Sequence, residues 1–276
     1  MSVLVLQLAG PLQSWGASAR FARRTTEAVP TKSGVIGLLA AAQGRDRTAD
    51  LSDLADLRFG VRVDQPGTRL TDFQTAHHFD TDKSMPVSHR YYLADAVFVA
   101  AVEGDDDLIA DLHEAVRRPV FLPYLGRRSC PPSRRLDLGV RTGTDVTGAL
   151  AAEPWRASEW HQRARRSEPT VLLRTFTDGP ASDAPPSGEP RPGSGDSGPA
   201  GGDADGNGQD TADTGPGDLL RDHPLSFDPL HRRYALRAVR SGHVRIANPR
   251  ATGDRRTGGH GILLHHDPEA ALGGGS

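Results

Sequence analysis

Apolar and polar positions along the chain follow a few recognisable periods. Val3-Leu4-Val5-Leu6-Gln7-Leu8 is a β-rich run ended by Ala9-Gly10-Pro11, which predicts a buried first strand. Residues 35–42 (VIGLLAAA) are apolar on every face and follow Thr31 and Ser33, either of which can act as N-cap, so a short buried helix is expected. Residues 57–63 alternate at period two and predict a second strand, and residues 96–102 predict a third. The polar stretch between them, 64–95, is too long for a hairpin loop and reads as an inserted functional lobe. Residues 106–116 place apolar side chains at 108, 109, 112, 115 and 116 behind acidic residues that suit a helix N-terminus, giving an amphipathic helix ended by Pro119. After a loop over 124–133, Leu136-Asp137-Leu138 predicts a short strand. The resulting order defines an α+β fold with the βαββαβ succession of a ferredoxin-like or RRM-like sheet. Residues 170–177 and 233–240 predict a further strand pair.

Composition separates the segment joining that pair from everything else. The 276 residues carry 33 Lys+Arg against 35 Asp+Glu, a formal charge of −2. Residues 178–218 alone hold nine acids and one base, Arg191, together with eleven Gly and seven Pro, and lack aromatic, Leu, Ile, Val and Met residues. Such a stretch buries too little apolar surface to offset its ordering entropy, so a disordered acidic linker of charge −8 is expected. The remaining 235 residues then carry +6, nearly all of it from arginine. Arginine suits phosphate because its planar fork donates two hydrogen bonds at once. Genomic base composition accounts equally for the bulk excess, so composition by itself does not establish a nucleic-acid partner. With one cysteine, Cys130, no intrachain disulfide can form, and no run approaches the ~18 apolar residues of a membrane span. A cytoplasmic chain with no membrane partner is expected.

Local clusters supply the candidate chemistry. Residues 117–135 contain six arginines and no acid, centred on Tyr124-Leu125-Gly126-Arg127-Arg128-Ser129-Cys130-Pro131. There a glycine lets backbone approach a phosphate, Arg127 and Arg128 clamp it, and Tyr124 offers a stacking face. The plain alternative is a solubilising surface turn. Lys32 and Ser33 stand at a helix start, where free N–H groups attract phosphate, although ordinary capping explains them as well. The glycine that a P-loop requires before the lysine is missing. Arg20, Arg23 and Arg24 precede this helix in a polar segment; Trp15 is a core residue or a stacking face, with Gln13 as a polar handle. His77, His78 and His89, with Lys83, Tyr91 and Tyr92, supply groups for metal-independent RNA cleavage or for a polar nucleic-acid-contacting lobe. His260, His265 and His266 lack a ligand partner at metal-site spacing, so no metal or other cofactor is expected.

Three blocks carry a family resemblance: Leu8-Ala9-Gly10-Pro11-Leu12-Gln13-Ser14-Trp15-Gly16, Pro30-Thr31-Lys32-Ser33-Gly34-Val35-Ile36-Gly37-Leu38-Leu39, and Pro123-Tyr124-Leu125-Gly126-Arg127-Arg128-Ser129-Cys130-Pro131. In order and spacing they resemble the CasD family, RAMP-superfamily subunits of the type I-E CRISPR complex Cascade, as does Arg90-Tyr91-Tyr92-Leu93-Ala94-Asp95-Ala96. The resemblance implies an RRM-like palm over residues 1–177 with a thumb inserted at about 70–95 and a returning strand segment over 219–250; the tail over 251–276 departs from the family pattern and is expected to be flexible. The resemblance also implies a non-catalytic subunit that binds the crRNA 5′ handle and caps the backbone filament in antiviral defence. The implied partners are a backbone subunit of CasC type and a large subunit of CasA type, with target DNA engaged only indirectly. By motif match, RNA contacts fall on Gln13, Trp15, Lys32, Ser33, Gly126, Arg127, Arg128 and Ser129; the residues themselves add Arg20, Arg23, Arg24, Arg90 and Tyr124. A metal-independent endoribonuclease that processes precursor crRNA is the alternative function.

Overall fold

A computed structural model describes residues 1–16, 23–179 and 218–252. Arg20, nearly all of the acidic segment, most of the tail and its three histidines lie outside the described residues, and for Arg23 only the backbone is described. The architecture is mixed α/β dominated by antiparallel sheet. A seven-stranded sheet runs in the order β10-β11-β9-β4-β7-β1-β8, from β1 (Ser2–Ala9), β4 (Arg58–Gln65), β7 (Val97–Gly104), β8 (Asp137–Thr142), β9 (Thr170–Asp178), β10 (Asp218–Ser226) and β11 (Arg233–Ala247). Every pairing in it is antiparallel. A smaller sheet is built on β6 (Ser88–Ala94), which pairs along its length with β5 (Thr68–Gln74) and at its two ends with β2 (Leu12–Gln13) and β3 (Arg23–Arg24).

β1 is apolar at almost every position because both of its faces are covered. Leu4, Leu6 and Leu8 join the main core with α1 (Lys32–Ala42), α2 (Ser52–Ala55) and α3 (Asp106–Arg117), while Val3 and Val5 pack on α4 (Val146–Ala152). The Thr31 hydroxyl accepts from Gly34 N–H at 3.2 Å and starts α1 three residues before the expected position. In α3 the Asp105 carboxylate caps Asp107 N–H at 3.0 Å, Asp106 and Asp107 suit the dipole, and Ile109, Leu112 and Val116 are buried, as the 3.6-residue period requires.

Several expectations are corrected. The lobe at 64–95 contains most of the small sheet, and the strand expected at 136–138 extends to Thr142. β10 was not foreseen, and β11 runs on to Ala247. α4 and α5 (Glu159–Ala164) occupy a stretch in which no element was expected. No described helix is long and apolar enough to cross a membrane.

Candidate nucleic-acid interface

The three sequence blocks meet in space, and glycines let them do so. Gly126 has φ +84°, and a Cβ on it would lie 1.8 Å from Ser14 O, so only glycine fits between the first and third blocks. Ser14 N–H donates to Leu125 O at 3.1 Å across this contact. A Cβ on Gly34 would lie 2.8 Å from the Trp15 ring, which joins the first block to the second. The third block closes on itself, with Leu125 N–H on Cys130 O at 2.7 Å and Cys130 N–H on Arg127 O at 2.8 Å.

Around this junction lies a groove of about 920 Å³. Among the described residues, Arg24, Arg45, Arg47, Arg127, Arg128 and Arg232 line it against a single acid, Asp46. Phe121, Tyr124, Phe227 and Tyr234 add aromatic surface, and Ser33, Gly34 and Gly126 complete the junction side. Arg127 is held in place, with Nη2 donating to Arg24 O at 2.6 Å and the guanidinium 4.8 Å from the Tyr92 ring centroid. Its Nη1 is buried without a hydrogen-bond partner among the described residues, as is Arg90 Nε. Unpaired, desolvated guanidinium nitrogens are donors that an anionic ligand can satisfy. Arg128 and Ser129 are exposed.

Four of the sequence candidates prove to be partly or wholly scaffold. Gln13 is fully buried; its Nε2 donates to Leu8 O at 3.1 Å and Ala96 O at 2.8 Å, and its Oε1 accepts from Trp15 Nε1 at 3.0 Å. Trp15 is likewise fully buried, so its ring forms the floor of the groove and presents no open face to a base. Lys32 is 4% exposed: Nζ pairs with Asp178 Oδ2 at 3.2 Å, and the backbone N–H that a phosphate would need donates to Asp222 Oδ2 at 2.7 Å. Burial pushes the Lys32 ammonium below its usual range, with Asp178 acting in the opposite direction. Ser33 is buried at the groove edge, its Oγ 3.5 Å from Thr31 Oγ1.

The arginine run at 117–135 is also divided in space. Arg118 pairs with Glu114 at 3.1 Å, Arg117 lies 3.8 Å from Asp137, and Arg134 donates to Arg156 O at 3.2 Å in a separate cleft beside Gln7 and Trp155. Only Arg127 and Arg128 of the six line the groove. His77, His78 and Lys83 lie in the excursion between β5 and β6, with His77 Nδ1 3.4 Å from Asp82 Oδ1. His89 stands on the β6 ladder opposite Phe73, and none of these histidines lines the groove. No cluster of His, Cys, Asp or Glu able to hold a metal occurs among the described residues.

Arg45, Arg47, Phe121, Phe227, Arg232 and Tyr234 belong to the site but were not singled out from the sequence. Arg45 sits just past the C-terminus of α1, fixed by Asp53 at 2.5 Å and 2.6 Å; its signal was the Gly44-Arg45-Asp46-Arg47 run after an apolar helix. Phe121 is fixed by its backbone N–H on Ala41 O at 3.3 Å.

An antiparallel-dominated fold with an arginine-lined groove at the junction of these blocks defines a class, and the comparisons agree on it. The chain belongs to the CasD/Cas5 family of CRISPR-associated proteins: the family model described as CRISPR-associated protein (Cas_Cas5) matches residues 3–240. Among its relatives is CRISPR system Cascade subunit CasD of Escherichia coli strain K12, 38% identical over 169 residues that make up 54% of this chain and 75% of the relative. A solved structure described as a CRISPR RNA-guided surveillance complex contains a chain with TM-score 0.64 and 31% identity, covering 92% of this chain and 95% of that one. A second, described as a crystal structure of a Cas protein, aligns with TM-score 0.60 and 32% identity over 90% of this chain and 97% of the other.

Proposed function

We propose that this chain is a Cascade component that binds the single-stranded 5′ handle of a crRNA and caps the backbone filament without catalysing a reaction. The observation that carries the reading is the meeting of three sequence-distant blocks at one groove lined, among the described residues, by six arginines and one acid. Arginine forks take the phosphates, and Tyr124 and neighbouring aromatic rings take the splayed bases. Guide pairing, rather than this chain, would read target DNA, so its contact with the target is indirect.

The sheet order β4-β7-β1-β8, with α1 and α3 as the crossing helices, supports an RRM-like palm of ferredoxin-like topology. The β5–β6 excursion supports a thumb that wedges against a CasC-type backbone subunit, with a CasA-type large subunit as the other neighbour. The histidines' position outside the groove supports binding over the alternative of precursor cleavage. Isolation of the tagged full chain from its own host, where the precursor is cut by another subunit, tests this reading. Co-purified RNA with one uniform 5′ sequence is the expected result; RNA of random ends, or none, contradicts it.

A further inference from the structure

The hairpin of β10 and β11 brings to the groove a wall that lies outside all three sequence blocks. Phe227 and Tyr234 flank its turn with ring centroids 6.4 Å apart and planes inclined at 52°, so the two rings do not stack on each other. Both are half-buried, and both line the groove with the exposed Arg232 and with Tyr124, Arg127 and Arg128. The Phe227 ring is backed by α1: a Cβ on Gly37 would meet it in ordinary contact at 3.5 Å.

The hairpin is anchored from behind by four charges. Asp222 accepts from Arg237 Nε at 2.8 Å and Nη2 at 2.7 Å, and Asp178 accepts from Arg237 Nη1 at 2.6 Å and from Lys32 Nζ at 3.2 Å. Two carboxylates and two cations thus tie β9, β10 and β11 to the start of α1. The aromatic pair thus sits on an anchored hairpin and lines the groove together with Tyr124, Arg127 and Arg128.

We propose that Phe227 and Tyr234 form a second wall that holds one unpaired nucleobase of the bound strand, with Arg232 on the adjoining phosphate. The proposal rests on the single-stranded RNA reading of the groove and extends it to residues that belong to none of the family blocks. Ring faces accept any base, so the slot positions a nucleotide and leaves its edge unread.

The test uses the full chain and single-stranded RNA copied from the host's own CRISPR repeat, with 2-aminopurine placed at each position in turn. The unsubstituted chain should quench the fluorophore at a position that depends on the wall. Phe227→Leu with Tyr234→Leu keeps apolar volume and removes both ring faces; that quench should disappear and affinity fall about tenfold, with the salt slope unchanged. Arg232→Gln, at an exposed position, should reduce the slope of log K against log salt by about 0.7. Circular dichroism and thermal midpoints serve as folding controls; if the double Leu variant fails them, Tyr234→Leu alone carries the quench assay. Quenching and affinity unchanged in the folded wall variants overturn the wall while leaving the groove reading intact. Normal RNA binding with lost subunit assembly would make the wall a protein contact and overturn it as well. An unsubstituted chain that binds no RNA overturns the groove reading, and the wall falls with it.

Discussion

Gly126 and Ser14 approach so closely that a Cβ on the glycine would lie 1.8 Å from the serine carbonyl oxygen. This contact sets the arginine loop against the first block and directs Arg127 and Arg128 to the groove. Gly126→Ala therefore meets both a steric clash and an unfavourable positive φ. The substitution should cost at least about 1–3 kcal/mol, from the backbone conformation alone, and displace the loop. Urea unfolding measures the loss, and RNA affinity should fall with it.

Asp222, fully buried, binds Arg237 through two nitrogens and also takes the first N–H of α1. Asp222→Ala leaves a buried guanidinium short of a partner and removes a helix-start acceptor. A loss of about 3–5 kcal/mol is expected, read as a lower denaturant midpoint. A loss below about 1 kcal/mol would show that the network does not anchor the hairpin.

Cys130 is fully buried, and burial pushes its thiol above the usual range, partly opposed by the neighbouring Ser129 and Arg127. The thiolate is the reactive form, so native protein at pH 8 should react with iodoacetamide far more slowly than urea-unfolded protein. Mass spectrometry of the alkylated chain measures the ratio. Since Cys130 closes the arginine loop through its backbone, Gly126→Ala should raise the native rate.

Arg117 and Arg118 belong to the dense arginine run in sequence but pair with acids away from the groove. Changing both to Gln should leave RNA affinity within about twofold, since exposed ion pairs of this kind contribute about 0–1 kcal/mol to stability and no contact to the ligand. Fluorescence anisotropy with repeat-derived RNA provides the measurement.

The elements most legible in the sequence were those whose burial imposes a period. β1 and α1 are covered on all sides and α3 on one, and each shows this as a continuous apolar run or a 3.6-residue stripe. β5 was unreadable because nearly every position in it is exposed, which leaves no alternation to detect. β10 was unreadable because its buried residues include Asp222 and Pro224, one an ion-pair partner and the other poor in strands.

The site shows the same division. Its blocks stood out by residue type, but the roles within them depend on distant partners. Lys32 is a scaffold residue because Asp178 and Asp222 lie 146 and 190 positions away, a pairing that no local pattern encodes. Gln13 and Trp15 serve each other and the core, leaving Arg127 and Arg128 to face the groove. Arg45 and Arg232 reach the same groove from the end of a helix and the turn of a hairpin.

The central claim is that Arg127 and Arg128 hold the phosphates of a single-stranded RNA in this groove. Titrating Arg127→Ala with Arg128→Ala against repeat-derived single-stranded RNA over a range of salt concentrations tests it most directly. Two lost phosphate contacts should weaken binding and flatten the slope of log K against log salt by about 1.4, at about 0.7 per contact. Affinity and slope equal to those of the unsubstituted chain would contradict the assignment.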